Sequence, residues 1–207
     1  MIKMIALNME GILLKNRNSW NNLMNKLSKN PYYNIRYSFG YLYDNMNNKL
    51  NINVDNNKFD KIVRDSFDYT EVYDGIDEFI SILHRNNIYV TIITEGIKQY
   101  ADILASEYNF DYYIANEIKI VNEKLRFIKN VDPLRKDIAL NSVENKFGLK
   151  PENVITIGSS MTDASMKYGS KYFIAFNPEY NDVKKYAMKT FESDSILDIL
   201  NVNLVNF

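Results

Sequence analysis

The chain is predicted to fold as an α/β protein, a doubly wound parallel sheet with a small helical cap inserted after the first strand. Three observations predict it. Short apolar runs bounded by polar turns recur at Ile2 to Leu7, Ile88 to Ile93, Tyr112 to Ala115, Val154 to Ile157 and Tyr172 to Ala175, the pattern of strands buried on both faces. Helix-period segments lie between the later runs, and strand alternating with helix implies parallel strands joined by right-handed crossovers. Residues 15–73 break this alternation and read as an insertion.

The first strand, Ile2 to Leu7, runs straight into the polar turn that begins at Asn8. The insertion carries two amphipathic pieces, one marked by Trp20, Leu23, Met24 and Leu27, the other by Phe59, Ile62, Val63 and Phe67. Between them stands a dense aromatic run, Tyr32, Tyr33, Tyr37, Phe39, Tyr41, Leu42 and Tyr43. It reads as the cap's own core and its seam with the main domain, or as a substrate or homodimer surface. The division expected is therefore an α/β core of residues 1–14 and 74–207 and a helical cap of residues 15–73.

Past the insertion, Gly75 to Arg85 places Ile76, Phe79, Ile80 and Leu83 on one helical face. Its late position suits His84, the sole histidine, as a cation at a helix C-terminus. Helices are also expected over Ile97 to Tyr108, Leu134 to Phe147 and Met161 to Tyr168. In such sheets ligands sit beyond the carboxyl ends of the strands, where Asn8, Thr94 and Gly158-Ser159 all fall.

Composition narrows the function. At 207 residues the chain suits one well-cored domain with a modest insertion. A net charge of -1, from 25 basic and 26 acidic residues, supplies no field for nucleic acid or an anionic membrane. The absence of cysteine excludes disulfides, thiolate metal sites and a cysteine nucleophile. The apolar run Met1 to Leu7 is too short for a signal peptide and no stretch approaches a membrane span, so a cytoplasmic protein is expected. Asparagine clusters such as Asn45 to Lys49 are interrupted by apolar residues and read as nucleotide-composition bias.

Seven stretches, in four separated groups, carry the chemistry. The first is Leu7-Asn8-Met9-Glu10-Gly11-Ile12-Leu13. After the insertion, Tyr73-Asp74-Gly75-Ile76-Asp77-Glu78 opens a helix and Ile92-Ile93-Thr94-Glu95-Gly96-Ile97 ends a strand. Then come Ile114-Ala115-Asn116-Glu117-Ile118 and Asn130-Val131-Asp132-Pro133-Leu134-Arg135-Lys136. Last are Val154-Ile155-Thr156-Ile157-Gly158-Ser159-Ser160-Met161-Thr162-Asp163 and Ile174-Ala175-Phe176-Asn177-Pro178.

In this order the segments resemble the phosphoserine-phosphatase-like branch of the haloacid dehalogenase-like superfamily, over nearly the whole chain. The resemblance implies a Rossmannoid fold and a phosphomonoesterase site. The first motif there reads D-x-D-G-x-L, with a nucleophilic aspartate at the position of Asn8 and an acid/base aspartate at that of Glu10. Thr94, Glu95 and Gly96 would hold phosphate at a helix start, with Gly158 and Ser160 nearby. Lys136 would neutralise phosphate and nucleophile. Magnesium would take the first aspartate, the Glu10 carbonyl and the aspartate position filled here by Ser159, with Asp163 retained.

The departures bear on chemistry. An asparagine amide is a poor nucleophile beside a carboxylate. Asn8, the Glu10 carbonyl and Ser159 offer magnesium no charge among them, so no cofactor is expected unless an altered site remains active. Glu10 keeps a carboxyl group on a stem one methylene longer, displacing its oxygens by about 1 Å or more. Arg17 stands where relatives acting on phosphoserine carry a cap glutamate for the amino group. Without metal, Lys136 is expected to balance Asp163 and Glu10, and Glu95 suits an anionic ligand only if it points away. Trp20 reads as cap packing or as a substrate platform. The expectation is a protein with catalysis lost or much reduced, binding a phosphorylated small molecule or a protein partner. The alternatives are a working phosphomonoesterase with an altered metal site and a structural or oligomerisation module.

Overall fold

A computed structural model describes residues 1–17, 19–28 and 54–202. Its centre is β1 (Met4–Leu7), every residue of which is buried. This strand pairs in parallel with β2 (Tyr89–Ile97) on one side and β5 (Val154–Gly158) on the other. The described residues form one seven-stranded sheet in the order β4-β3-β2-β1-β5-β6-β7, completed by β3 (Tyr112–Val121), β4 (Lys124–Ile128), β6 (Tyr172–Phe176) and β7 (Lys189–Phe191). The five apolar runs read from the sequence all fall on strands. Each large aliphatic side chain they remove from water contributes about 1.5–3 kcal/mol.

The sheet departs from an all-parallel one at β4, which pairs antiparallel with β3. Val121 faces Lys124 across a two-residue turn in which Asn122 and Glu123 both have positive φ, 50° and 61°, the conformation of the hairpin turn that matches strand twist. A glutamate at the second turn position gives no sequence signal for it, and β3 therefore runs past the expected end at Ala115. The short edge strand β7 also carried no legible pattern.

The helices are α1 (Ser19–Ser28), α2 (Asn56–Phe67), α3 (Ile76–Arg85), α4 (Lys98–Tyr108), α5 (Lys136–Phe147) and the short α6 (Asn181–Lys184). The expected face of α3, Ile76, Phe79, Ile80 and Leu83, is buried. Helix α4 begins one residue later than expected because Ile97 ends β2. Helix α5 begins at Lys136 and not at Leu134, because the Asp132 side chain accepts the Leu134 amide at 2.9 Å and holds a turn there. The helix expected over Met161 to Tyr168 is instead a 3-10 segment, Asp163–Gly169. The Asp163 carboxylate accepts the Ser159 and Ser160 amides at 2.8 and 2.9 Å, so the chain enters this segment in a tight turn.

In the insertion, Trp20, Leu23, Met24 and Leu27 on α1 and Phe59, Val63 and Phe67 on α2 are buried in the apolar cluster that contains Leu7, Met9, Phe79 and Tyr100. The aromatic run Tyr32 to Tyr43 lies outside the described residues. Among the described residues no helix is long and apolar enough to cross a membrane.

Candidate active site

Asn8 and Ser159 directly follow the carboxyl ends of β1 and β5, Thr94 lies within the last part of β2 instead of beyond it, and all three are buried. Asn8 is fixed from its backbone, whose amide donates to Ile157 O at 3.0 Å. Its neighbours determine its amide orientation. Nδ2 donates to Glu10 O at 2.8 Å and lies 3.4 Å from Asp163 Oδ2, while Oδ1 accepts from Lys136 Nζ at 3.3 Å. A carboxylate at this position would set an acceptor against the Glu10 carbonyl, which is the physical reason this pocket takes an amide.

Lys136 is the first residue of α5 and is fully buried. Its ammonium pairs with Asp163 Oδ1 at 2.5 Å and contacts Glu95 Oε2 directly. Burial alone would lower its pKa, but the charges of Asp163 and Glu95 outweigh it and hold the group above the ordinary lysine value. Glu95 therefore points into the pocket. Its second oxygen accepts the Thr162 hydroxyl at 2.9 Å, and the Thr162 and Ser160 hydroxyls are 2.7 Å apart. The expected balance of Lys136 by Asp163 and Glu10 is thus corrected to Asp163 and Glu95. Glu95 stands at the irregular end of β2, where register with β3 shifts between Ile93 and Ile97, and such a bulge re-aims side chains at a strand end.

Glu10 occupies the other side. It accepts hydroxyls from Ser19 and from Thr94, the latter at 2.7 Å. Its carboxylate lies against Gly96, where a Cβ would strike both carboxylate oxygens and the Met9 side chain. Burial pushes the Glu10 pKa up to about 7, reinforced by the negative charge of Glu95 and opposed by the Ser19 and Thr94 hydrogen bonds and by Lys136. The Gly96 amide donates to Thr94 Oγ1 at 2.9 Å. Three groups expected to hold phosphate, the Thr94 hydroxyl, the Gly96 amide and the Lys136 ammonium, are engaged by the protein itself. So is the Ser160 amide, on Asp163, while Gly158 closes β5 behind it.

The residues at the expected magnesium position do not fit a divalent cation. Glu10 O already accepts from Asn8 Nδ2 and, at 3.3 Å, from Ser159 Oγ. Ser159 Oγ in turn accepts Arg17 Nη1 at 2.9 Å, which brings a positive charge to the place of the metal. Asp163 is occupied by Lys136 and two backbone amides. Among the described residues no group of three or more His, Cys, Asp or Glu is arranged to hold a metal.

The insertion closes over these residues through Arg17, Ser19 and Trp20. Trp20 Nε1 donates to Glu95 O at 3.1 Å and its ring meets Phe127 edge-on at 5.4 Å, so it packs against the core instead of offering a platform. Asn116 receives little notice in the sequence yet does three things. Its Oδ1 accepts the Asn130 and Val131 amides, each at 2.8 Å, and its Nδ2 donates to Glu95 O at 3.0 Å. Ser19 and Thr162 were also missed. The only signals for them were a serine at a helix start and a hydroxyl one residue before Asp163. His84 lies apart, 2.9 Å from Asp111 Oδ2, and serves the α3 terminus.

Residues 18–166 match the family model described as haloacid dehalogenase-like hydrolase. That span includes Thr94, Lys136, Ser159 and Asp163 and begins after Asn8 and Glu10. A phosphoserine phosphatase of Archaeoglobus fulgidus is 30% identical over 107 residues, covering 50% of this chain and 31% of that protein. Phosphoserine phosphatase SerB2 of Mycobacterium tuberculosis is 25% identical over 146 residues, covering 68% of this chain and 36% of that protein. The chain thus matches about a third of the length of these curated relatives. Among solved structures, a phosphoserine phosphatase in apo form superposes with a TM-score of 0.78 at 18% identity, covering 97% of this chain and 98% of that one. A phospho-aspartyl intermediate analogue of phosphoserine phosphatase gives 0.78 at 16% identity, with the same coverage.

Proposed function

The chain belongs to the haloacid dehalogenase-like hydrolase family, and on that premise we propose that it is a member without phosphomonoesterase turnover, acting by binding. One observation carries this reading: the groups the resemblance assigns to phosphate already hold the protein's own carboxylates, Lys136 on Glu95 and Thr94 on Glu10. A phosphate dianion entering here would meet Glu10, Glu95 and Asp163 and would have to displace Glu95 from a buried ammonium. Phosphoryl transfer would further need a carboxylate nucleophile, and position 8 supplies an amide whose oxygen faces Lys136.

Engagement of the pocket from within counts against a phosphorylated metabolite, and the binding role we propose is therefore toward a protein partner. The metabolite reading keeps one supporting observation, that the Glu95 side chain retains 20% of its exposure. The two separate in a thermal-shift experiment with inorganic phosphate, orthovanadate and a phosphomonoester panel. The partner reading expects no stabilisation of the native chain. Stabilisation that disappears in Lys136→Met would establish the metabolite reading instead.

A further inference from the structure

The positive charge brought to Ser159 has consequences for the metal. Arg17 Nη1 donates to Ser159 Oγ at 2.9 Å and Nη2 to Asn177 O at 2.5 Å, so the guanidinium bridges the ends of β5 and β6. Space for it comes from the first-motif turn. Gly11 has φ +78°, and a Cβ there would strike both Ser159 Oγ and the guanidinium. Asn177 is itself held, with Nδ2 on Ser193 O at 2.7 Å and Oδ1 accepting the Ser193 amide at 2.9 Å. The residue whose carbonyl meets Arg17 is therefore held by contacts that do not involve the cation.

We infer that Arg17 is an internal cation that takes the place of the divalent metal, and that it ties the start of the insertion to the ends of β5 and β6 without any ion from solution. This inference rests on only one part of the proposed function, that the site works without a divalent metal. Two side-chain donors complete the replacement. Asn8 Nδ2 and Ser159 Oγ both point at Glu10 O, where the family's metal would accept that oxygen as ligand. A metal ion entering would have to break both of these bonds and sit against a guanidinium, while the retained carboxylate, Asp163, is already held by Lys136 and two backbone amides. The same guanidinium belongs to the segment that carries Ser19 onto Glu10 and Trp20 onto Glu95 O. Asn8, Ser159 and Arg17 form one set: the two positions that would give magnesium a carboxylate are neutral here, and the cation beside them is supplied by the chain itself.

The test is calorimetric titration of Mg2+ into the full chain, with the melting temperature followed in parallel. The native chain is expected to show no binding heat and no Mg2+-dependent shift. Asn8→Asp with Ser159→Asp restores two carboxylates but leaves Arg17 to pair with them, so its Mg2+ affinity should be weak. Adding Arg17→Ala should tighten that affinity by about tenfold or more. Arg17→Gln, which removes the charge and keeps an amide donor for the side chain at position 159, serves if the alanine variant does not fold. Saturable Mg2+ binding by the native chain would overturn the inference, and so would an affinity in the two-carboxylate variant that is unchanged by removing Arg17. Metal-free phosphatase activity of the native chain would overturn the proposed function and leave this inference standing.

Discussion

The fully buried ammonium of Lys136 contacts the carboxylate of Glu95, whose side chain keeps 20% of its exposure, and the two residues close on one another where the family resemblance would place a phosphate group. Asp163 shares the same ammonium. Removal of one partner from such a pair leaves an uncompensated buried charge, while the intact set is close to neutral in its effect on stability.

Lys136→Met should accordingly cost about 3–5 kcal/mol of unfolding free energy, measured by urea denaturation followed by circular dichroism. Glu95→Gln should cost less, because Asp163 still balances the ammonium and the Thr162 hydroxyl still has an acceptor. The glutamine variant should also gain a phosphate-dependent rise in melting temperature that the native chain lacks, since it releases Lys136 and removes one negative charge. A native chain stabilised by phosphate as strongly as the variant would contradict this account of Glu95.

Glu10 and Glu144 both have pKa values pushed up to about 7 from 4.5, in each case first by burial, then by a neighbouring carboxylate, Glu95 for Glu10 and Glu152 for Glu144. Serine and threonine hydrogen bonds and Lys136 oppose the shift at Glu10. A carboxyl whose pKa is raised on folding binds more protons in the native state than in the unfolded one between the two values. Stability is therefore fully present below about pH 4.5 and lost as pH rises toward about 7. Glu10→Gln should flatten part of that decline in melting temperature, and Glu144→Gln the remainder. A native melting temperature that rises steadily from pH 5 to 7.5 would reverse the sign expected.

Trp20 is the sole tryptophan of the chain, so its fluorescence reports closure of the insertion directly. Its emission should be blue-shifted and poorly quenched by acrylamide, with or without Mg2+. Trp20→Phe keeps the packing on Phe127 and loses the Nε1 bond to Glu95 O, which should cost about 1 kcal/mol. Emission typical of a solvated indole in the native chain would mean that α1 does not lie on the pocket.

The legibility of these features in the sequence followed their physical range. Leu7 to Asn8, Thr94 and Gly158-Ser159 were placed together because each marks the end of a buried apolar strand, and sheet topology brings such ends to one edge. The hairpin of β3 and β4 was not legible, because its turn holds Asn122 and Glu123 at positive φ without a glycine. The 3-10 segment after Asp163 hid behind a helical spacing that the capping carboxylate overrides. Orientation was the harder part. Nothing in the order of residues says whether Glu95 turns toward Lys136 or away, or that Arg17 reaches Ser159. Both depend on long-range placement of flexible side chains. Ser19, at the start of α1, and Thr162, in the turn before Asp163, carry no distinguishing signal for a related reason, since hydroxyl residues at such positions are common and only their partners set them apart.

The most direct test of the central claim is phosphomonoesterase activity of the full native chain across a broad substrate panel with Mg2+, alongside Lys136→Ala and a variant carrying Asn8→Asp, Glu10→Asp, Ser159→Asp, Glu95→Gly and Arg17→Glu. The account predicts no turnover above background in the native chain, and turnover in the multiple variant once carboxylates are restored and the two occupying side chains are removed. Native turnover that Lys136→Ala abolishes would contradict it, because the engaged lysine and the amide at position 8 would then belong to a working enzyme.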